Sequence, residues 1–372
     1  MTSPDVVVIG GGVAGCSVAA LLAEAGARVR LYEREAVAAG ASGRNSGLLQ
    51  HPMDEALLPL YETSMELYAG LGHGFAVPAE PVGVLVLSPD EAALAADRDQ
   101  VAARFPELAP EWLEGAALAE AEPGLAPELF AYRLRTGLPV PPTAATRAWA
   151  ERARAAGARI VVGEAATLAR GDRRVEGVRV GGRLEPADAV IVAAGPWTPE
   201  ALGADPAWRP VGPMWGVVAQ VRLPDPPRHA LEHADVEGIT SPGGSPDVMF
   251  TLIPAGGTST LGSTFALAEP DPHSVAPRLI AHGTHYVPGL RAAAIESVRA
   301  CARPLSADGR PLLGAVPGVD CLHVLTGHGP WGVTLGPGSA RLVADGVLGR
   351  PAAIPPELRA DRFGTPFASA AR

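Results

Sequence analysis

The sequence predicts an α/β + β fold: a parallel sheet flanked by helices, interleaved with a second domain built on a mostly antiparallel sheet. Three observations predict it. Asp5-Val6-Val7-Val8-Ile9 is a near-continuous β-branched run closed by glycines, the pattern of a parallel strand buried on both faces. Residues 13–25 are rich in Ala and Leu and stop at Gly26, and Arg28-Val29-Arg30-Leu31-Tyr32-Glu33 reads as a second strand. The N-terminus is then one βαβ unit of about 30 residues. Between residues 210 and 302, short strand-like segments instead alternate with Pro/Gly turns, as in an antiparallel sheet.

The later elements follow in order. Residues 143–156 are helical in pattern and 157–162 read as a strand. Residues 175–180 and 183–185 read as a hairpin around Gly181-Gly182. Residues 189–195 are a buried strand ending in small residues, and 216–223, 248–253 and 259–263 are strands of the second sheet. Residues 339–347 are helical in pattern. These elements place 1–78, 141–209 and 303–372 in a discontinuous nucleotide-binding domain. Residues 79–140 and 210–302 form the substrate-binding domain. No internal repeat or low-complexity linker interrupts them.

Composition narrows the partners. The chain has 372 residues, enough for two domains and a sizeable core. Its net charge of −10 argues against nucleic acid, whose phosphates need a basic surface. All 30 basic residues are Arg, so Schiff-base chemistry on a lysine is excluded. No apolar run reaches the roughly 18 residues a transmembrane helix needs. The first strand begins at once, so no signal peptide is expected. Three cysteines, Cys16, Cys301 and Cys321, suit a reducing compartment. The expected location is cytoplasmic, possible attachment to a membrane surface aside. No metal is expected.

Gly10, Gly12 and Gly15 match G-x-G-x-x-G. Gly10 permits the tight turn, Gly12 lets the backbone approach a pyrophosphate, and Gly15 lets helix and strand pack closely. The helix N-terminus then presents N–H groups to the phosphates. Glu33 ends the second strand, where it can accept from a ribose hydroxyl and disfavours a 2′-phosphate. This motif does not by itself separate FAD from NAD. The next segment, Gly40-Ala41-Ser42-Gly43-Arg44-Asn45-Ser46-Gly47, offers close backbone approach and many donors, and Leu48-Leu49 after it suggests burial.

The C-terminal third adds Arg303-Pro304-Leu305-Ser306-Ala307-Asp308-Gly309, then Gly327-His328-Gly329-Pro330-Trp331-Gly332-Val333-Thr334. Taken with the N-terminal glycines, these stretches resemble the two ends of the D-amino acid oxidase-like (DAO) superfamily of FAD enzymes, which includes glycine oxidase, sarcosine oxidase and D-amino acid dehydrogenase. The resemblance implies an FAD-binding Rossmann-type (GR2-like) domain. It implies cofactor contacts from Gly10, Gly12, Val13, Ala14, Gly15, Glu33 and Arg34, and from Ala41, Ser42, Arg44, Asn45, Ser46, Gly47 and Leu48. Ala165, the Ala193-Ala194-Gly195-Pro196-Trp197 element (through Ala194, Gly195 and Trp197), and Gly327, Gly329, Pro330, Trp331, Gly332, Val333 and Thr334 complete the set.

The same resemblance assigns Arg303 to the substrate carboxylate, for which a planar guanidinium offers a bidentate partner. A salt bridge with Asp308 is the structural alternative. Thr334 stands near where sarcosine oxidases use a lysine, a departure from that branch of the family. His328 is a candidate base or a packing residue. Cys301 precedes Asp308 by seven residues, as does the cysteine that carries flavin covalently in monomeric sarcosine oxidases. His51, Met53, Trp215, Phe250 and Trp331 are candidates for the substrate pocket wall, with ordinary packing as the alternative.

The implied activity is FAD-dependent oxidation of the C–N bond of a small amino acid of glycine or D-amino acid type. Hydride transfer to flavin N5 would give an imino acid that hydrolyses to an oxo acid and ammonia. Oxygen or a quinone would accept the electrons. The alternatives are a sarcosine-type N-methyl amine oxidase, a 2-hydroxy acid dehydrogenase, and a non-catalytic FAD-bound subunit.

Overall fold

The computed structural model describes residues 5–234, 248–351 and 353–367. A six-stranded sheet runs in the order Leu312–Ala315, Leu322–Thr326, Ala189–Val192, Asp5–Ile9, Arg28–Glu33, Arg159–Val162. All its pairings are parallel except that of Leu312–Ala315 with Leu322–Thr326. Strand alternation explains the unbroken apolar runs. Val6, Val8 and Ile191 pack into the core that contains helix Val13–Glu24. Val7, Ile9, Val190 and Val192 face the opposite way and pack with Val175, Val178 and Val180. Both faces are therefore dry.

The expected hairpin is Val175–Val180 with Arg183–Pro186. A third strand, Ala166–Arg170, which the sequence reading did not pick out, completes a small antiparallel sheet.

The second large sheet has eight strands, in the order Ala294–Ser306, Val211–Arg222, Thr258–Thr264, Val248–Ala255, Ala230–His233, Val84–Ser88, Phe130–Leu134, Glu111–Leu113. It is antiparallel apart from the pairing of Ala230–His233 with Val84–Ser88. One face carries Val217, Ala219, Leu252, Leu261 and Ala300 into a core with Val275 and Leu279 of helix Pro272–Gly283. On the other face Val84, Val86, Tyr132 and Ile253 pack with Leu94 and Val101 of helix Glu91–Arg104, while Cys301 and Arg303 line a cavity that the glycine loop also lines.

Two boundaries differ from expectation. The division at 302/303 falls inside strand Ala294–Ser306, so Arg303 belongs to the second sheet. The C-terminal helix begins at Gly332, earlier than its Leu- and Val-rich part suggests, and runs to Val347. Gly336, Pro337 and Gly338 hide it, because each is a poor helix former. Packing explains the glycines: a Cβ on Gly338 would stand 2.1 Å from the Leu60 carbonyl, and one on Gly336 would stand 3.1 Å from Val13 Cγ1.

Among the described residues no helix is long and apolar enough to cross a membrane. No group of three or more His, Cys, Asp or Glu among them is placed to hold a metal ion.

Candidate active site

The glycine loop is shaped by contacts that a side chain would break. Gly10 has φ +114°, and a Cβ there would lie 2.4 Å from the Ala193 carbonyl oxygen. A Cβ on Gly15 would lie 2.0 Å from Gly10 O. Helix Val13–Glu24 has Gly12 as its N-cap, which offers no capping side chain, and no acid in its first turn. Its leading N–H groups and partial positive charge thus face a cavity, a site suited to an anion. The Val13 N–H donates to Ser42 Oγ at 3.0 Å, which ties the second glycine-rich segment to the first. Glu33 fastens the turn from its other side. Its Oε2 accepts from the Gly11 N–H at 2.7 Å and its Oε1 from the Glu35 N–H at 2.9 Å.

These elements line a cavity of about 630 Å³ that continues under the second sheet. Gly10, Gly12, Val13, Ala14, Glu33, Arg34, Ala41, Ser42, Arg44 and Asn45 line it. So do Ala165, Ala194, Gly195, Trp197, Gly329, Pro330, Gly332 and Val333. The Arg34 guanidinium sits 4.1 Å over the Trp197 ring. Other expected residues stand behind this wall. Gly15 and Gly47 serve close packing, the latter at φ +78° with a Cβ position 2.3 Å from Val140 O. Gly327 lies against Leu312. Ser46 and Leu48 fall outside the lining.

Strand Ala294–Ser306 brings Arg303 to the same cavity. Alternation puts Arg299, Cys301 and Arg303 on one face. Arg303 is buried. It donates to the Thr264 carbonyl at 2.9 Å and to Ser263 Oγ, and lies 4.5 Å over the Phe265 ring. Burial lowers its pKa, opposed by attraction to Cys301. The alternative bridge to Asp308 is absent: Asp308 is paired with Arg362 at 2.7 Å. Among the described residues no carboxylate pairs with Arg303. A buried cation with no carboxylate partner among the described residues is poised for an anionic ligand.

Cys301 lines the cavity as a buried free thiol. His328 also lines it, with Nε2 3.0 Å from Ser339 Oγ, and burial pushes its pKa down to about 4. It is neutral near pH 7 and held by packing.

Four expectations are corrected. Thr334 lies inside helix Gly332–Val347, is buried, and turns its hydroxyl to the Leu48 carbonyl at 3.4 Å, outside the cavity lining. Phe250 is stacked on Tyr286 at 4.4 Å within the core under helix Pro272–Gly283. His51 packs edge-on against Tyr61 and Phe105 and pairs with Glu107 at 3.2 Å. Burial lowers its pKa despite Glu107. Trp331 packs against the core of the nucleotide domain, although its neighbours Pro330 and Gly332 reach the cavity. Trp215, one of the expected wall candidates, does line the cavity, whereas Glu269, Thr326 and Leu325 line it without having been expected there. Trp215 stands across the ladder from Ala302, beside Cys301 and Arg303; Glu269 carries no sequence signal.

The FAD dependent oxidoreductase family, DAO, matches residues 5–346. The chain belongs to this family. FAD is accordingly its cofactor, and the uncapped helix end, Glu33 and the glycines that admit no Cβ fit a dinucleotide. As a DAO member the chain is similar to glycine oxidase of Bacillus licheniformis, at 25% identity over 367 residues, covering 93% of this chain and 94% of that one. It superposes on the glycine oxidase of Geobacillus kaustophilus with TM-score 0.83 and 25% identity, covering 97% and 99% of the two chains. It superposes on iminodiacetate oxidase from Chelativorans sp. BNC1 with TM-score 0.80 and 25% identity, over 97% and 99%. It is an FAD-dependent oxidoreductase.

Proposed function

We propose that this enzyme oxidises the C–N bond of a small amino acid of glycine or D-amino acid type, to an imino acid that water hydrolyses to oxo acid and ammonia. The observation that carries this reading is Arg303. A buried guanidinium without an acidic partner opens into the cavity that the dinucleotide cradle also lines. It would hold the substrate carboxylate by paired N–H···O bonds and so orient Cα. Bound FAD supplies the acceptor for the hydride leaving Cα. Ser263 and the Thr264 carbonyl hold Arg303 from behind, so the guanidinium is fixed before substrate arrives. Neutral His328 keeps a second positive charge away from the substrate amine. The similarity to glycine oxidases supports the substrate class.

The likeness to iminodiacetate oxidase favours a second reading, a secondary amine of N-substituted glycine type. Anaerobic bleaching of the bound flavin separates them. The panel is glycine, D- and L-alanine, sarcosine, iminodiacetate and lactate. Reduction by glycine or a D-amino acid supports the first reading, and reduction by sarcosine or iminodiacetate alone supports the second. Bleaching by lactate only, or by none, overturns both. Cys301 faces the same cavity, and a covalent link there would leave flavin in the pellet after acid precipitation, whereas Cys301→Ala would release it.

A further inference from the structure

Arg299 shares its strand face with Cys301 and Arg303, yet its side chain goes elsewhere. It reaches out of the second sheet and donates to the Arg44 carbonyl at 3.2 Å and the Asn45 carbonyl at 3.0 Å. Its third bond goes back to the sheet, to Gln220 Oε1 at 3.1 Å. Gln220 is itself held, by Thr258 Oγ1 at 2.5 Å and Thr260 Oγ1 at 3.2 Å. Arg44 is the last residue of the short helix Ala41–Arg44 and Asn45 is its C-terminal cap. Both carbonyls therefore belong to a helix end that has used up its own donors. Arg44, Asn45 and Ser42 line the dinucleotide cavity, and Ser42 accepts from Val13 at the start of the first helix.

We propose that Arg299 is a positioning residue that holds the flavin-facing loop at a set distance from the substrate anchor Arg303. One strand carries both arginines, four residues and so about 13 Å apart. Any slide of the loop relative to that strand must break two charge-assisted bonds. A planar fork reaches two successive carbonyls and the Gln220 amide together; an ammonium reaches fewer. The role concerns how the cofactor is seated, which does not depend on which amine is oxidised. Only the kinetic arm of the test rests on the proposed reaction.

The test uses the holoenzyme of wild type, Arg299→Met, Arg299→Lys and Gln220→Leu. FAD retention is measured by dialysis over serial dilution, in a Cys301→Ala background where acid precipitation leaves flavin in the pellet. The limiting rate of flavin reduction and KM are measured with the amino acid that reduces wild type best. Arg299→Met should raise the FAD Kd about 10- to 100-fold, the loss expected for bonds from a charged donor. It should slow the limiting rate while KM changes little, because Arg303 is intact. Arg299→Lys should restore most FAD retention and only part of the rate. Gln220→Leu should keep FAD and slow reduction. Wild-type retention and rate in Arg299→Lys and Gln220→Leu together overturn the proposal, even if Arg299→Met does not fold. A rise in KM with the limiting rate unchanged also overturns it, since that marks a substrate contact. If no amino acid reduces the wild type, the reaction reading fails while retention still decides the role of Arg299.

Discussion

The Arg303 guanidinium fills the space that a side chain on Gly216 would occupy: a Cβ on Gly216 would stand 2.2 Å from Nη2. The two residues lie on adjacent strands, Gly216 directly opposite Cys301, two positions from Arg303. The glycine is thus a seat for the cation. Gly216→Ala should push the guanidinium off Ser263 and Thr264 at an overpacking cost of about 1–3 kcal/mol. The expected result is a fall in kcat/KM for carboxylated substrates of about 5- to 150-fold with FAD content retained, read by steady-state kinetics and the flavin absorbance ratio. Unchanged kinetics would show that the guanidinium position is unimportant.

Truncation of Arg303 itself should cost more. Removing one partner of a buried charge pair costs about 2–5 kcal/mol, so Arg303→Ala should lower kcat/KM by roughly 30-fold to several thousand-fold. Arg303→Lys should recover only part, since an ammonium cannot hold the carboxylate plane. An amine lacking the carboxylate should turn over weakly in wild type and change little in the variants. Equal losses for both substrate types would remove Arg303 as the anchor.

What the sequence disclosed about this site follows from how locally each feature is encoded. The glycine fingerprint, the first helix and Glu33 lie within 24 residues, and their geometry is set by neighbours in sequence. The pocket wall of the second sheet is different. There the face on which a residue falls depends on register and on irregularities such as the shift between Val248 and Thr251. Phe250 therefore points into the helix-covered core, while Trp215 and Glu269 reach the cavity. Thr334 falls ahead of the helix that the pattern predicts over 339–347, because the glycines and proline of 332–338 mask a helix whose stability comes from tertiary contacts.

That helix supplies a stability prediction. Pro337 has no N–H to donate to the Val333 carbonyl four residues earlier. Tyr68 Oη fills the vacancy by donating to Val333 O at 2.7 Å. Both residues are buried. Tyr68→Phe should leave the carbonyl without a donor and cost about 1–3 kcal/mol in denaturant unfolding. Bound FAD should raise the midpoint of wild type and variant alike by mass action, leaving the difference between them. An unfolding midpoint equal to wild type would show that another donor satisfies Val333.

Glu232 gives a pH dependence of unusual sign. It lies on strand Ala230–His233, buried, and desolvation raises its pKa from 4.5 to about 7 against a hydrogen bond from Gln50. Between those two pH values the folded protein keeps a proton that the unfolded chain has lost. Stability from this group therefore falls as pH rises through the window and is level above about 7. The full penalty is at most about 3 kcal/mol. His323 and His328 work in the opposite direction. Burial holds both near 4, so their contribution is present above 6.5 and is lost as pH falls toward 4. The wild-type profile is a sum of opposing slopes, so only a difference isolates Glu232. Glu232→Gln keeps the shape, can still bond Gln50, and does not titrate. Its stability relative to wild type, from denaturant curves at pH 5 and pH 8, should be higher at pH 8, by up to the full penalty. A difference independent of pH would mean that Glu232 ionises in the folded protein as it does in the unfolded chain.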